Sequence, residues 1–408
     1  MRERRRPERA RRRRAWLGRA WLGGVLLVFG GCGGEDTMDL DATVPPDAGV
    51  DGDAGGLDAG GADVGPVDAG GPSDPAFAEA ADNPGTWTWV PVEGARCRDD
   101  SETGFLIRLQ PGATRLAIFL DGGGACFNPF TCPGNPASFG EDDARDAAGR
   151  LDRGIFDASD PDNPVADWNM AFVPYCTGDV FGGSREDAVV PGVADLQQFV
   201  GFDNMTSFAD LLARQLTDTT EVLLTGSSAG GFGATLNFDQ VARRFSPVPV
   251  HLLNDSGQPL RNGGLSLAPC LTEQWFSLWD VQTPAGCLDC GADGAGLLGV
   301  ARYIAQTHPE SKLALASYLE DAVIRGFLLF GRNMCRPTGP QPVPAADFRA
   351  DVLDLRTELP SWGTFFLDGP GHTFLGGDLG YQVLEVEGRN LADYLEAFLA
   401  DEVLDLGP

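Results

Sequence analysis

Across 408 residues the chain carries 30 Lys and Arg against 59 Asp and Glu, a formal net charge of −29, with three histidines and a single lysine, Lys312. Phosphate backbones are bound through a basic footprint that this composition lacks, so no nucleic-acid partner is expected. The length allows two domains, or one large α/β domain with unstructured sequence attached.

Ten of the Lys and Arg fall within the first 31 residues, where an Arg-rich stretch runs to Arg14 and the apolar AWLGRAWLGGVLLVFGG follows. Interrupted by Arg19, that stretch is too short for a spanning helix and has the layout of an export signal. It ends at Cys32 in the context VFGGC, which resembles a bacterial lipoprotein signal with Cys32 as the lipidated residue; an ordinary cleaved secretory signal is the alternative. Residues 1–31 are therefore expected to be a signal and 32–84 a solvated tether. Repeating Asp, Ala and Gly in the tether leave almost nothing to bury against the entropy of ordering. Its Asp-Gly runs lack the spaced carboxylates of a calcium loop.

From about Trp87 the composition becomes globular, and short β-type runs alternate with helical patterns. That alternation predicts a largely parallel sheet flanked by helices across 85–408. Strands are expected at Arg115–Leu120, Met170–Tyr175, Val222–Thr225, Val248–Leu253, Leu313–Ala316 and Gly363–Leu367. Helical periodicity marks Ser207–Leu216, Gly230–Arg244, Leu297–Gln306, Leu319–Phe330 and Asn390–Ala400. Setting Cys32 aside, the eight cysteines Cys97, Cys126, Cys132, Cys176, Cys270, Cys287, Cys290 and Cys335 suit disulfides in an exported chain, with the pairing open. Cys287 and Cys290 have the spacing of half a zinc site, but no second Cys pair or His pair accompanies them, so no metal is expected.

In open α/β sheets ligands bind beyond the carboxyl ends of the strands. Successive strand ends here carry Asp121-Gly-Gly-Gly124, then Gly226-Ser-Ser228-Ala-Gly230, then Asp321, then Asp368-Gly-Pro-Gly-His372. A Gly-rich loop, a serine, an acid and a histidine in that order have the layout of an α/β-hydrolase, and Gly226-x-Ser228-x-Gly230 has nucleophile-elbow spacing. Ser228 would be the nucleophile and His372 its base. Asp321 would hold the imidazole in the right tautomer, with Asp255 and Asp368 as rivals for that role. Amides of Gly123, Gly124 and Ala229 would receive the oxyanion. His251, inside a strand, reads as structural, and His308 as a surface residue at a helix end.

Four stretches resemble the pectin acetylesterase and Notum carboxylesterase family: Leu120–Asn128, Trp168–Asp179, Gly226–Gly231 and Asn254–Gly257, with looser matches around Asp321 and His372. The resemblance implies a serine hydrolase of the α/β-hydrolase type, with Ser228, Asp321 and His372 as triad and Gly123, Gly124 and Ala229 around the oxyanion. It also implies disulfides Cys126–Cys132 and Cys97–Cys176, leaving the other four cysteines to pair among themselves. Where the family carries a tryptophan before the cysteine, this chain has Gly124-Ala125, so acyl preference does not transfer.

The function expected is an exported serine esterase, anchored through Cys32 or secreted, that removes short acyl groups, acetyl above all, from extracellular carbohydrate without a cofactor. A broad carboxylesterase for small or lipid esters is the alternative among enzymes. A non-catalytic cell-surface binding protein on the same scaffold is the alternative outside them.

Overall fold

The structure is a computed structural model and describes residues 74–408 except 337 and 338. The expected signal, Cys32 and most of the tether lie outside the described residues.

The chain is ordered earlier than the tether's expected end. Residues Pro75–Asp82 form helix α1, started by proline in its first turn and capped by Asp74, whose Oδ1 accepts from the Ala76 amide at 2.9 Å. Phe77 and Ala80 on its inner face are buried, so this segment belongs to the folded body. Its alanines and acidic residues resemble the preceding tether, but Phe77 supplies a buried aromatic side chain.

Strands β1 (Trp87–Arg96), β2 (Glu102–Arg108), β3 (Arg115–Leu120), β4 (Asn169–Val173), β5 (Glu221–Ser227), β6 (Val250–Asp255), β7 (Leu313–Tyr318), β8 (Gly363–Leu367) and β9 (Asp405–Leu406) build one sheet. Its order is β1-β2-β4-β3-β5-β6-β7-β8-β9. The pairs β1–β2 and β2–β4 are antiparallel, and from β4 to β9 all pairs are parallel. Central strands read as unbroken apolar runs because both faces are covered. In β3, Leu116, Ile118 and Leu120 join one core while Ala117 and Phe119 join the other, as alternating side chains require.

Helices α2 (Glu141–Ala148), α3 (Gly201–Gln215), α4 (Ala229–Phe245), α5 (Pro269–Trp279), α6 (Leu297–Thr307), α7 (Ala322–Leu328), α8 (Ala345–Glu358) and α9 (Leu391–Leu399) complete the body. Each expected strand is present, with β5, β6 and β7 ending two residues later than expected and β4 two residues earlier. The antiparallel edge β1–β2 and helices α2, α5 and α8 were not anticipated. The helix expected over Leu319–Phe330 starts only at Ala322, because Asp321 serves as its N-cap.

All eight cysteines pair: Cys97–Cys176, Cys126–Cys132, Cys270–Cys335 and Cys287–Cys290. Two of these bridges are those implied by the family resemblance. The Cys287–Cys290 bridge gives the Cys-x-x-Cys pair a structural use.

Candidate active site

The parallel core of the sheet turns its carboxyl edge toward one region, and the candidate residues gather there. Strand β5 ends at Ser227 and helix α4 begins at Ala229, so Ser228 alone makes the turn, at φ 59° and ψ −119°. A non-glycine residue held there costs on the order of 1–3 kcal/mol and persists only where its surroundings impose it. Here they do. A Cβ on Gly226 would lie 2.5 Å from the Gly230 carbonyl oxygen, and one on Gly230 would lie 1.9 Å from that of Leu120. Only hydrogen fits at either position, so the two glycines let β3, β5 and α4 converge around the serine.

His372 lies in the loop after β8. Its Nδ1 donates to Asp321 Oδ2 at 2.7 Å, and Asp321 is fully buried. The other oxygen of Asp321 accepts from the amides of Val323 and Ile324 at 2.9 and 3.0 Å. Capping α7 thus fixes the carboxylate, and the carboxylate fixes the imidazole with its proton on Nδ1, leaving Nε2 as the basic nitrogen. Ser228 and His372 line the same cleft, and no direct hydrogen bond joins them. Such contacts are often long in unliganded enzymes.

The rivals for the acid part company here. Asp368 pairs with Arg349 at an exposed position. Asp255 is fully buried, but it holds the main chain behind the histidine instead of the ring. Its Oδ2 accepts from the amides of Phe374 and Leu375 at 2.8 and 3.0 Å and from Ser227 Oγ at 2.7 Å, while Oδ1 accepts from Ser256 Oγ at 2.9 Å. The Asp255 carbonyl also accepts from the Ser228 amide at 2.8 Å. One residue therefore ties the serine turn to the histidine loop. The sequence signalled an acid after a strand, but not which part of the loop it would grip.

The other two histidines stay away from the cleft. His251 on β6 accepts from the Lys312 amide through Nδ1 at 3.1 Å and faces Glu221. His308 is not a free surface group: its Nε2 lies 2.8 Å from Oδ1 of the buried Asp239.

At the Gly-rich loop, Asn135 Nδ2 donates to the Gly123 carbonyl at 2.7 Å. In a trans peptide this places the Gly124 N–H on the opposite edge. Gly124 adopts φ +81°, and a Cβ on Gly123 would lie 2.6 Å from the Tyr175 ring. Ala229 opens α4, where amide hydrogens and the helix dipole favour negative charge.

Two clefts meet at the serine, and Gly124 and Ser228 line both of them. One is apolar, about 740 Å³ with its mouth included, with walls that include Phe232, Leu236, Leu260, Trp275, Trp279 and Phe327. Trp275 and Trp279 stack at 5.9 Å, one helical turn apart on α5, a spacing readable in the sequence. Trp279 is anchored by its Nε1 donating to the Cys126 carbonyl at 2.9 Å. The other, the polar cleft, is about 1240 Å³ with its mouth included and sets the charged or basic groups Asp121, Arg150 and His372 against apolar side chains such as Phe119, Phe139 and Phe156. Burial pushes the Asp121 carboxyl up to about 6.

The family model for pectinacetylesterases matches residues 81–290. Human palmitoleoyl-protein carboxylesterase Notum is 33% identical over 181 residues, covering 41% of this chain and 34% of the human protein. The mouse protein of the same name is 30% identical over 190 residues, covering 43% and 36%. The matched stretch thus spans about a third of the length of these curated relatives. The solved structure of the Wnt deacylase Notum from Drosophila covers 78% of this chain and 96% of its own, with a TM-score of 0.58 and 19% identity, a likeness of fold. Matched over more than half its length, with a parallel-sheet body like that of Notum, this chain belongs to the pectinacetylesterase family.

Proposed function

We propose that the chain is an exported serine carboxylesterase acting through Ser228, His372 and Asp321. The supporting observation is the buried Asp321 gripping His372 at 2.7 Å in a cleft shared with a serine held at φ 59°. Four disulfides suit an oxidising compartment, and anchoring through Cys32 remains part of the proposal.

In the reaction, His372 Nε2 takes the Ser228 hydroxyl proton as Oγ attacks the ester carbonyl. The amides of Ala229 and the Gly123-Gly124 turn receive the oxyanion. As the tetrahedral intermediate collapses, the imidazolium returns its proton to the departing alkoxide, releasing the alcohol and leaving an acyl-serine. Water then attacks that ester with the same base, releasing the acid and restoring the serine.

The leaving alkoxide takes its proton from His372, so the alcohol occupies the cleft that His372 lines, and the acyl group occupies the other. The aromatic and aliphatic walls of the apolar cleft support the lipid-ester alternative, an aliphatic acyl chain, over the acetyl reading. Acetylated carbohydrate is the second reading, and the polar cleft favours a hydroxylated alcohol in either case.

A fluorophosphonate probe tests the reaction class: labelling of the wild type that vanishes in Ser228→Ala supports the enzyme, and no labelling of folded protein supports a binding protein. A p-nitrophenyl series from acetate to octanoate tests the acyl group. Rising kcat/KM along it supports the apolar chain, and a maximum at acetate restores the acetyl reading.

A further inference from the structure

We propose that Asp121, with Arg150, forms the subsite that reads hydroxyl groups on the leaving alcohol, so that Asp121 determines alcohol specificity while the apolar cleft determines the acyl group. This deepens the serine-esterase reading and rests on it.

Asp121 follows β3 directly and lines the polar cleft beside Gly122 and Gly123. Its Oδ1 accepts from the Gly122 amide at 2.8 Å, which holds the carboxylate in place. Oδ2 has no hydrogen-bond partner among the described residues, although the side chain is half-buried. A carboxylate oxygen without a protein partner, at the wall of a cleft holding a catalytic base, is an acceptor available to a ligand. Arg150, just beyond α2, lines the same cleft, and its charge acts on Asp121 across it. No ion pair of Arg150 is formed among the described residues, so its guanidinium donors are available too.

The chemistry of the ligand follows from this pair. One carboxylate and one guanidinium sum to no net charge, which gives little hold on a strongly charged alcohol. Together they supply acceptors and donors at separated points, as a polyol or glycosyl unit requires. Phe139, half-buried in the same wall, adds a flat apolar face of the kind the C–H side of a sugar ring covers. His372 is the remaining ionisable group lining the cleft, and it is already held by Asp321.

Two esters of one acyl chain test the assignment: a hexose monooctanoate, whose alcohol carries hydroxyls, and p-nitrophenyl octanoate, whose alcohol carries none. Asp121→Asn keeps an acceptor for the Gly122 amide but turns an NH2 toward the cleft. It is expected to lower kcat/KM for the sugar ester ~10–100-fold more than for the nitrophenyl ester, chiefly through KM. Arg150→Gln, at an exposed helix end, supplies a second reading if Asp121→Asn folds poorly, with a differential loss of ~3–10-fold in the same direction. Equal losses on both esters, an unchanged sugar ester, or a wild type that cleaves only the nitrophenyl ester would overturn the subsite while leaving the esterase standing. A folded wild type that cleaves neither of these esters nor p-nitrophenyl acetate overturns the esterase reading itself.

Discussion

The two clefts that meet at Ser228 differ in how they are built. The apolar one is walled by side chains from α4, α5, α6 and α7, packed into the larger of the two cores. The polar one is bounded by two loops, the Gly-rich loop after β3 and the histidine loop after β8, set against side chains that include Phe119, Phe139, Arg150 and Phe156. Packing can shape a pocket for an acyl chain, because burial is non-directional. The proposed mechanism requires a base and an oxyanion site to be aligned, which needs hydrogen bonds that fix loops, and Asp321, Asp255 and Asn135 make such bonds. Changes on the two sides should therefore fail differently.

The largest effects should ignore the division. Ser228→Ala or His372→Ala is expected to lower kcat by roughly 10⁴–10⁶ on every ester, measured by stopped assays on acetate and octanoate alike. Asp321→Asn should cost about 10⁴ by releasing the tautomer. A residual rate that still depends on acyl length would show that the apolar cleft binds without the triad.

Asp255→Ala should act on the polar side alone. It strips acceptors from two buried amides and two serine hydroxyls, an expected loss of about 2–4 kcal/mol in stability. Where the variant still folds, kcat should fall equally for acetate and octanoate, because the serine turn and the histidine loop lose their shared anchor while the apolar walls are untouched. Asp255→Asn keeps an acceptor for the two amides and should recover much of both. Equal kcat losses in the Asn and Ala variants would mean that charge, not position, is what Asp255 contributes.

These two acids also show how far the sequence reaches. Each stands after an apolar strand run, and the order of strands sufficed to expect one of them beside His372. Which of them holds the ring and which the backbone depends on directions set by neighbouring strands, and a one-dimensional pattern carries none of these. Central strands were legible because burial on both faces makes them continuous apolar runs. The β1–β2 edge was not, because Pro91 and Gly94 break β1 where its register shifts. Helix α8 hid for a related reason: AADFRADVLDLRTE buries only Phe348, Val352 and Leu355, a thin stripe. Beyond the Trp275 and Trp279 pair the apolar cleft was illegible, since its walls come from four helices far apart in sequence.

Filling that cleft should separate acyl lengths. Leu297 opens α6 and is half-buried in its wall, so Leu297→Trp adds bulk with less overpacking than at a fully buried position. The expected loss on p-nitrophenyl octanoate is ~10–100-fold, with acetate changed far less. Parallel losses on both would mean the acyl chain lies elsewhere.

The smallest effect concerns pH, and it belongs to the polar side. Burial raises the Asp121 carboxyl from its ordinary 3.8 to about 6. Between those values the folded protein holds a proton there that the unfolded chain has released, so raising the pH across that window removes stability. Above about 6 the penalty is complete, because the folded state then carries an ionised carboxylate in a partly dehydrated wall. Asp121→Asn cannot titrate, so its unfolding midpoint should fall less than the wild type's between pH 4 and pH 6. Thermal unfolding at pH 4.5, 5.5 and 7 measures the difference. Asp179, fully buried and also raised to about 6 by burial, adds the same slope to both proteins and cancels in the comparison. Identical slopes for wild type and variant would place the Asp121 carboxylate in water at all these pH values, and the polar cleft would then be more open than its walls suggest.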